Sequence, residues 1–225
     1  MNAGMTAVIV AFPYLLAGSA VTVSVVIGAL AFGFLLGLPL EVGQVHGGPV
    51  PRRLIAVHVW FFRWVPLLVL LFLFYFGLCS MLHINLSAFA VAVIVLGLIG
   101  SAYQSRIFHG AMLALPEGQL KAARALGMSD PRAIFFIILP QAPRLAIPGW
   151  SNEYSIILKD SAVTYALGVA DIMARTHFVA TRTYQHLPLY LAAGLIHPAL
   201  TSLGVKALQV LERRSRIPGY SRQGQ

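Results

Sequence analysis

Two carboxylates near the end of an apolar stretch are the side chains best suited to hold a small polar solute. Glu153 and Asp160 are seven residues apart, so on a helix they lie on nearly the same face, about 10 Å apart along the axis. Asn152 and Lys159 form a neighbouring polar stripe, and Ser161 follows. A carboxylate can bind a substrate ammonium group while Lys159 binds a carboxylate. These five residues predict a substrate path. Alternatively, Lys159 and Asp160 only mark the helix end, and Glu153 pairs within the protein.

A second polar segment, about 114–128, has the features of a short helix that docks on another surface. Pro116 and Glu117 suit a helix start, because proline is tolerated in the first turn and a carboxylate complements the positive end of the helix dipole. Gly127 can adopt the left-handed conformation that ends a helix. A helix this short is marginal alone, so it docks either on a partner or on its own protein. The candidate contact residues are Gln119, Lys121, Ala122, Ala123, Leu126 and Gly127.

Composition decides the environment in which these segments must be positioned. Hydrophobic residues make up 58% of the 225 residues and charged residues only 10%, whereas about 25% are charged in an average globular protein. The apolar runs are long enough to cross a hydrocarbon core of about 30 Å, which indicates an integral membrane protein surrounded by lipid. The net charge of +9 comes from basic residues clustered in short connectors. Such clusters are typical of cytoplasmic loops, so nucleic acid is not the expected partner.

The apolar runs predict a single all-α membrane domain, residues 1–225, with about five transmembrane helices. The predicted spans are about 18–40, 65–81 and 86–108, a proline-broken helix within 114–160, and 189–211. Residues 41–64 form a basic connector with an amphipathic helix near 54–60, and 162–188 form a mixed segment on the outer side. The tail carries Arg213, Arg214, Arg216 and Arg222. Because this arrangement puts the basic clusters on one side, we predict an external N-terminus and a cytoplasmic C-terminus.

The remaining reactive side chains give no pattern typical of an enzyme or a metal protein. Cys79 is the only cysteine, and His177, His186 and His197 lack partners at ligand spacing. No Gly-Lys dipeptide is present, so the chain has no standard phosphate-binding loop and we expect no bound cofactor. A membrane transporter is the predicted class. An ion-driven secondary transporter or channel for small polar solutes remains the alternative.

The segment around Gly127 resembles a known signature. Lys121-Ala122-Ala123, three residues, Gly127, nine residues and Ile137-Ile138-Leu139-Pro140 are similar to the EAA-x3-G-x9-I-x-L-P motif of permease subunits in type I ABC importers. The resemblance extends from about residue 18 to residue 214 and is to the branch that takes up polar amino acids (His/Glu/Gln/Arg/Lys). Further similar segments are Phe61-Phe62-Arg63, Pro66-Leu67-Leu68, Tyr75-Phe76-Gly77, Ala102-Tyr103, Pro116-x-Gly118-Gln119, Leu139-Pro140-Gln141-Ala142, Asn152-Glu153 and Leu158-Lys159-Asp160-Ser161.

The resemblance implies a fold, a mechanism and a set of partners. Segment 114–128 is then the coupling helix, which sits in a groove of a cytoplasmic ATPase. A dimer of ATPase subunits binds ATP and drives a pair of permeases between inward-facing and outward-facing states in the inner (plasma) membrane. An extracytoplasmic binding protein delivers the amino acid. This chain is then a non-enzymatic permease subunit, and the ATPase is a separate chain.

Several positions differ from the family pattern. Lys121 stands where the EAA motif has glutamate, a change of two charge units. Arg106 and His109 lie in a segment that is usually Ala-Glu-Ile-x-Arg-Gly, and Trp64 lies in a segment that is usually Arg-Gly-Thr-Pro. One hypothesis is that this chain is the divergent half of a heterodimer whose other permease keeps the usual residues.

Overall fold

The computed structural model describes residues 3–215, and within that range it contains no β-strand. The basic tail residues Arg216 and Arg222 lie outside the described residues. The helices are α1 (Ala3–His46), α2 (Pro49–Trp64), α3 (Leu67–Met81), α4 (Ala88–Leu113), α5 (Glu117–Ala125), α6 (Asp130–Ile138), α7 (Ala142–Ser161), α8 (Ile172–Thr183) and α9 (His186–Arg214). A 3₁₀ turn, Thr164–Leu167, precedes α8. The predicted all-α class is confirmed.

Five spans result when two bent helix pairs each count as one span. Helices α1, α4 and α9 are each long and apolar enough to cross a membrane. Helices α2 and α3 meet at an angle of 110°, and α6 and α7 at 62°. Pro66 lies at the first bend and Pro140 at the second, and proline supplies no N–H group to continue a helix. The prediction of about five spans is therefore consistent with the structure.

Helix α1 is much longer than predicted. The sequence analysis placed it at 18–40, but it extends from Ala3 to His46, about 66 Å at the rise of an α-helix. Its first turns continue because Ala11 and Leu15 pack against α8 and α9. Its last turns continue through Glu41, which is completely buried. The predicted boundaries, about 18 and 40, are therefore wrong at both ends.

The connector predicted at 41–64 is also mostly helical. Helix α2 is amphipathic, as expected, but it spans Pro49–Trp64 rather than only 54–60. It has no buried residue, and Trp60 and Trp64 are both exposed. Two side-chain contacts attach it to α4. His58 Nε2 lies 2.8 Å from Ser101 Oγ, and the Arg63 guanidinium lies 5.0 Å from the centre of the Tyr103 ring.

Helices α1 and α4 run parallel and touch closely. A Cβ atom added to Gly33 would lie 2.5 Å from Gln104 Nε2, and one added to Gly37 would lie 3.1 Å from the Ser101 carbonyl oxygen. Gly33 and Gly37 therefore allow α1 to pack closely on α4 of the same chain, because small residues let two helices approach.

Helix α7 packs against α4 in the opposite direction and also contacts α9. A Cβ on Gly149 would lie 2.5 Å from the Ile107 side chain. Farther along α7, Tyr154 fits over Gly204 of α9, and its hydroxyl group donates to the Leu200 carbonyl at 3.0 Å. Helix α7 is therefore held between α4 and α9 over most of its length.

Segment 162–188, predicted to be of mixed polarity, contains the 3₁₀ turn and helix α8. Asp171 is buried and caps α8, accepting a hydrogen bond from the Ala174 N–H at 2.7 Å. The Thr164 hydroxyl group donates to Asp171 Oδ2 at 3.1 Å. Burial raises the pKa of Asp171, and these two hydrogen bonds oppose the increase. The cap explains why a helix begins in a segment with little apolar periodicity.

Candidate functional site

The predicted docking helix is present as α5 and ends as its sequence indicates. Gly127 has φ +79°, the left-handed conformation. The Gly127 N–H donates to the Arg124 carbonyl at 2.9 Å, and the Met128 N–H donates to the Ala123 carbonyl at 3.0 Å. This bond pair is the Schellman motif, which satisfies carbonyl groups at a helix end. The prediction that Gly127 ends the helix in the left-handed conformation is confirmed.

The candidate contact residues divide between two faces of the helix end. Ala123 is only 2% exposed and faces its own chain. Gln119 is half-buried, whereas Lys121, Ala122 and Gly127 are exposed. Leu126 is 82% exposed, although it lies outside the predicted membrane spans. The helix therefore uses one face to pack on its own chain and presents the other outward.

A pair of glutamine side chains joins α5 to the bend between α6 and α7. Gln119 Nε2 donates to Gln141 Oε1 at 3.2 Å, and Gln141 Nε2 donates to Gln119 Oε1 at 2.9 Å. Gln141 also donates to the Ile137 carbonyl at 2.6 Å. Sequence analysis did not predict this pair, because the partners are 22 residues apart and meet only after the chain reverses.

An ion pair fixes α5 relative to the start of α6. Arg124 Nε and Nη2 donate to the two carboxylate oxygens of Asp130 at 2.7 Å and 2.8 Å. The Asp130 carboxylate raises the pKa of Arg124 through this hydrogen bond and its charge. Both side chains are exposed, so the pair defines orientation more than it adds stability. The opposite charges of Arg124 and Asp130, on either side of Gly127, are the sequence signal that could have predicted this ion pair.

The residues predicted to form the substrate path lie on two different faces of α7. Asn152 and Lys159 are exposed, as is Arg144 two turns earlier on the same stripe. Glu153 is 2% exposed and Asp160 is half-buried. Ser161 is buried, and its hydroxyl donates to the Leu158 carbonyl at 2.8 Å. The structure thus brings Asn152 and Lys159 together on an outward-facing stripe and turns Glu153 towards α4.

Glu153 faces α4 near Gly100 and the Gln104 amide. Its Oε1 atom is buried and has no hydrogen-bond partner among the described residues. A Cβ on Gly100 would lie 3.6 Å both from this oxygen and from Gln104 Nε2. Gln104 itself donates to the Leu30 carbonyl at 3.2 Å. A buried polar atom is usually hydrogen-bonded, because an uncompensated one is costly, so the Glu153 oxygen is an exception to be explained.

Metal binding finds no support in this part of the chain. Among residues 3–215, no group of three or more histidine, cysteine, aspartate or glutamate side chains converges closely enough to hold a metal ion.

Comparison with known proteins identifies relatives along most of the chain. Residues 29–217 match the family described as binding-protein-dependent transport system inner membrane component. The probable amino-acid permease protein YxeN of Bacillus subtilis (strain 168) is 33% identical over 210 residues, covering 92% of this chain and 94% of that protein. The arginine ABC transporter permease protein ArtQ of Haemophilus influenzae is 34% identical over 202 residues, covering 86% of this chain and 89% of that protein.

Solved structures give the same architecture. The crystal structure of an amino acid ABC transporter with histidines superimposes with a TM-score of 0.82 at 29% identity, covering 92% of this chain and 96% of that chain. An inward-facing structure of the MetNI methionine ABC transporter gives a TM-score of 0.76 at 20% identity, covering 91% and 97% of the two chains. The second likeness shows the fold alone, and together they confirm the predicted permease fold.

Proposed function

This chain belongs to the family of binding-protein-dependent transport system inner membrane components, and we propose that it imports polar amino acids by ATP-driven alternating access. Its place as a transmembrane subunit of an ABC importer follows from the family. The observation that carries the proposal is the geometry of α5. A short helix with Leu126 exposed at its end is fixed to α6 by the Arg124–Asp130 ion pair and to the α6–α7 bend by Gln119 and Gln141.

The partner of α5 is a cytoplasmic ABC ATPase. An exposed leucine gains stability when a hydrophobic groove removes it from water, and the two polar attachments would transmit a displacement of α5 to α7. ATP is bound and hydrolysed by a dimer of these ATPase subunits, since this chain has no phosphate-binding loop. The permease itself therefore carries no cofactor.

The outward-facing stripe of α7 supports a second permease subunit as the other partner. Arg144, Asn152 and Lys159 are exposed on a helix of a membrane span, and charged side chains in such segments face a bundle interior or an aqueous cavity rather than lipid. A second permease, identical or a paralogue, would enclose this stripe. The amino acid, delivered by an extracytoplasmic binding protein, would then pass along the stripe of Asn152 and Lys159, with Glu153, Asp160 and Ser161 behind it.

The charge distribution supports the predicted topology. Helix α9 begins beside the start of α1, where a Cβ on Gly4 would lie 3.0 Å from Pro188, and it packs along α1 in the same direction. Helices α1, α4 and α9 therefore end on the side of the molecule that carries α5, here called the α5 end. Basic residues near this end are Arg52, Arg53, Arg106, Arg124, Arg144, Arg213 and Arg214. We infer a cytoplasmic α5 end and an external N-terminus.

The test is reconstitution of the permease in liposomes with a P-loop ATPase and a secreted binding protein encoded beside its gene. Uptake of radiolabelled polar amino acids should require the binding protein outside and ATP on the α5 side. A screen across amino acids identifies the solute. Uptake driven by an ion gradient without ATPase would instead support a secondary transporter or channel.

The same preparation tests subunit composition. The heterodimer hypothesis predicts that purification through this chain yields a second, different permease. A fully coupled complex with the ATPase that contains only this permease would refute it.

A further inference from the structure

Two parallel stripes, each with a spacing of four residues, meet where α1 packs on α4. The α1 stripe consists of Gly33, Gly37 and Glu41, and the α4 stripe consists of Ser101, Ser105 and His109. Cβ atoms added to Gly33 and Gly37 would lie 3.2 Å from the Ser101 backbone nitrogen and 3.1 Å from the Ser101 carbonyl oxygen, respectively. At the α5 end the small residues are replaced by one ionisable side chain from each helix.

These two side chains form a short polar contact. Glu41 Oε1 and His109 Nδ1 are 2.6 Å apart, and with the carboxyl group ionised the histidine nitrogen is the donor. The Glu41 side chain is 0% exposed, whereas that of His109 is 41% exposed. The Glu41 Oε2 atom is buried and has no hydrogen-bond partner among the described residues. His109 is therefore the group placed to compensate this carboxylate.

The burial of Glu41 makes such compensation important. Its side chain is 0% exposed, and an ionised carboxyl group out of contact with water is costly unless a partner compensates it.

The position of the pair relates it to α5. Helix α4 ends at Leu113, four residues after His109, and α5 begins at Glu117. A force applied to α5 therefore reaches the end of α4 through a very short connection. If that end separates from α1, the movement is absorbed locally, whereas if it is held, the movement reaches the spans.

We propose that His109 is a positioning residue that, through a charged contact with Glu41, holds the end of α4 on α1 and so couples movement of α5 to the spans. This inference rests on the proposed function. It assigns a role to a contact that lies outside both the exposed face of α5 and the polar stripe of α7.

The experiment measures amino acid uptake per ATP hydrolysed in the complete reconstituted complex. Glu41→Gln and His109→Gln remove one charge while retaining an amide that can hydrogen bond, and His109→Arg retains a positive charge. We expect both glutamine variants to assemble and to lower the uptake per ATP by roughly fivefold or more. His109→Arg should stay within about twofold of wild type, since it restores a charge-assisted contact. Arg106→Gln is the matched control, because it removes an exposed positive charge from the same helix.

Each outcome decides the matter. Unchanged coupling in both glutamine variants, or loss of coupling in His109→Arg, overturns the proposal. An equal loss in Arg106→Gln assigns the effect to basic charge at the α5 end in general and also overturns it. Failure of both glutamine variants to assemble, measured by size-exclusion chromatography, would assign the pair to folding alone. A wild-type complex without ATP-dependent uptake instead refutes the proposed function, so the two failures are distinguishable.

Discussion

Replacing Leu126 with alanine should weaken binding of the ATPase without destabilising the permease. Leu126 is 82% exposed, so its side chain contributes little to the fold of the isolated subunit. If a groove on the ATPase encloses it, the burial contributes about 1.5–3 kcal/mol. Loss of most of that contribution corresponds to an affinity about 10- to 150-fold lower.

The assay is titration of the solubilised permease with the ATPase, together with thermal unfolding of the permease alone. Leu195→Ala on α9 is the matched control, because Leu195 is 75% exposed but lies on a different helix. We expect unchanged unfolding temperatures for both variants and weakened ATPase binding only for Leu126→Ala. Equal ATPase affinity in wild type and Leu126→Ala would refute the assignment of α5 as the ATPase contact.

Three further predictions concern α7, α8 and α9. Gly204→Ala would place a methyl group inside the Tyr154 ring and should destabilise the subunit by about 1–3 kcal/mol in thermal unfolding, whereas Gly194→Ala on the same helix meets nothing within 4 Å and should not. Asp171→Ala should cost about 1–2 kcal/mol of stability through loss of the α8 cap. Asp171→Asn should destabilise the subunit less, because burial already disfavours the charged form of the aspartate. Equal unfolding temperatures for the two variants would contradict this difference. Glu153→Gln and Asp160→Asn should each lower uptake and substrate-stimulated ATP hydrolysis in assembled complexes, and unchanged transport kinetics in both would exclude these residues from the path.

Local signals explain why α5 could be predicted from the sequence. Pro116 begins the helix and Gly127 ends it, and both effects depend only on neighbouring backbone atoms. The bends at Pro66 and Pro140 follow from the same kind of signal. Each of these features depends on the conformational limits of one residue, so no knowledge of the packed structure is needed.

Helix boundaries that depend on distant packing could not be predicted in this way. Helix α1 begins at Ala3 because Ala11 and Leu15 are covered by α8 and α9, which lie far away in the sequence. It continues past Glu41 because His109 of α4 lies against that carboxyl group. A charged residue normally indicates the end of a span, and here a partner elsewhere in the chain reverses that expectation.

The substrate-path prediction shows the same division at the level of side chains. Spacing alone places Asn152 and Lys159 on one stripe of α7, and both are exposed in the structure. Spacing cannot show which neighbouring stripe is buried. Glu153 is buried because α4 supplies Gly100 opposite it, a consequence of the packing angle between the two helices.

The placement of polar contacts around the α6–α7 bend gives the two candidate sites a physical connection. Gln141 lies at the bend itself and is bonded to Gln119 on α5, so α5 cannot shift without acting on the start of α7. Farther along α7, Tyr154 is enclosed by α9. A displacement at the bend would therefore rotate α7 about its contact with α9 rather than translate it. Because Glu153 precedes Tyr154 directly, it lies beside this pivot, so the largest displacement would occur at the start of α7 and the smallest at Glu153.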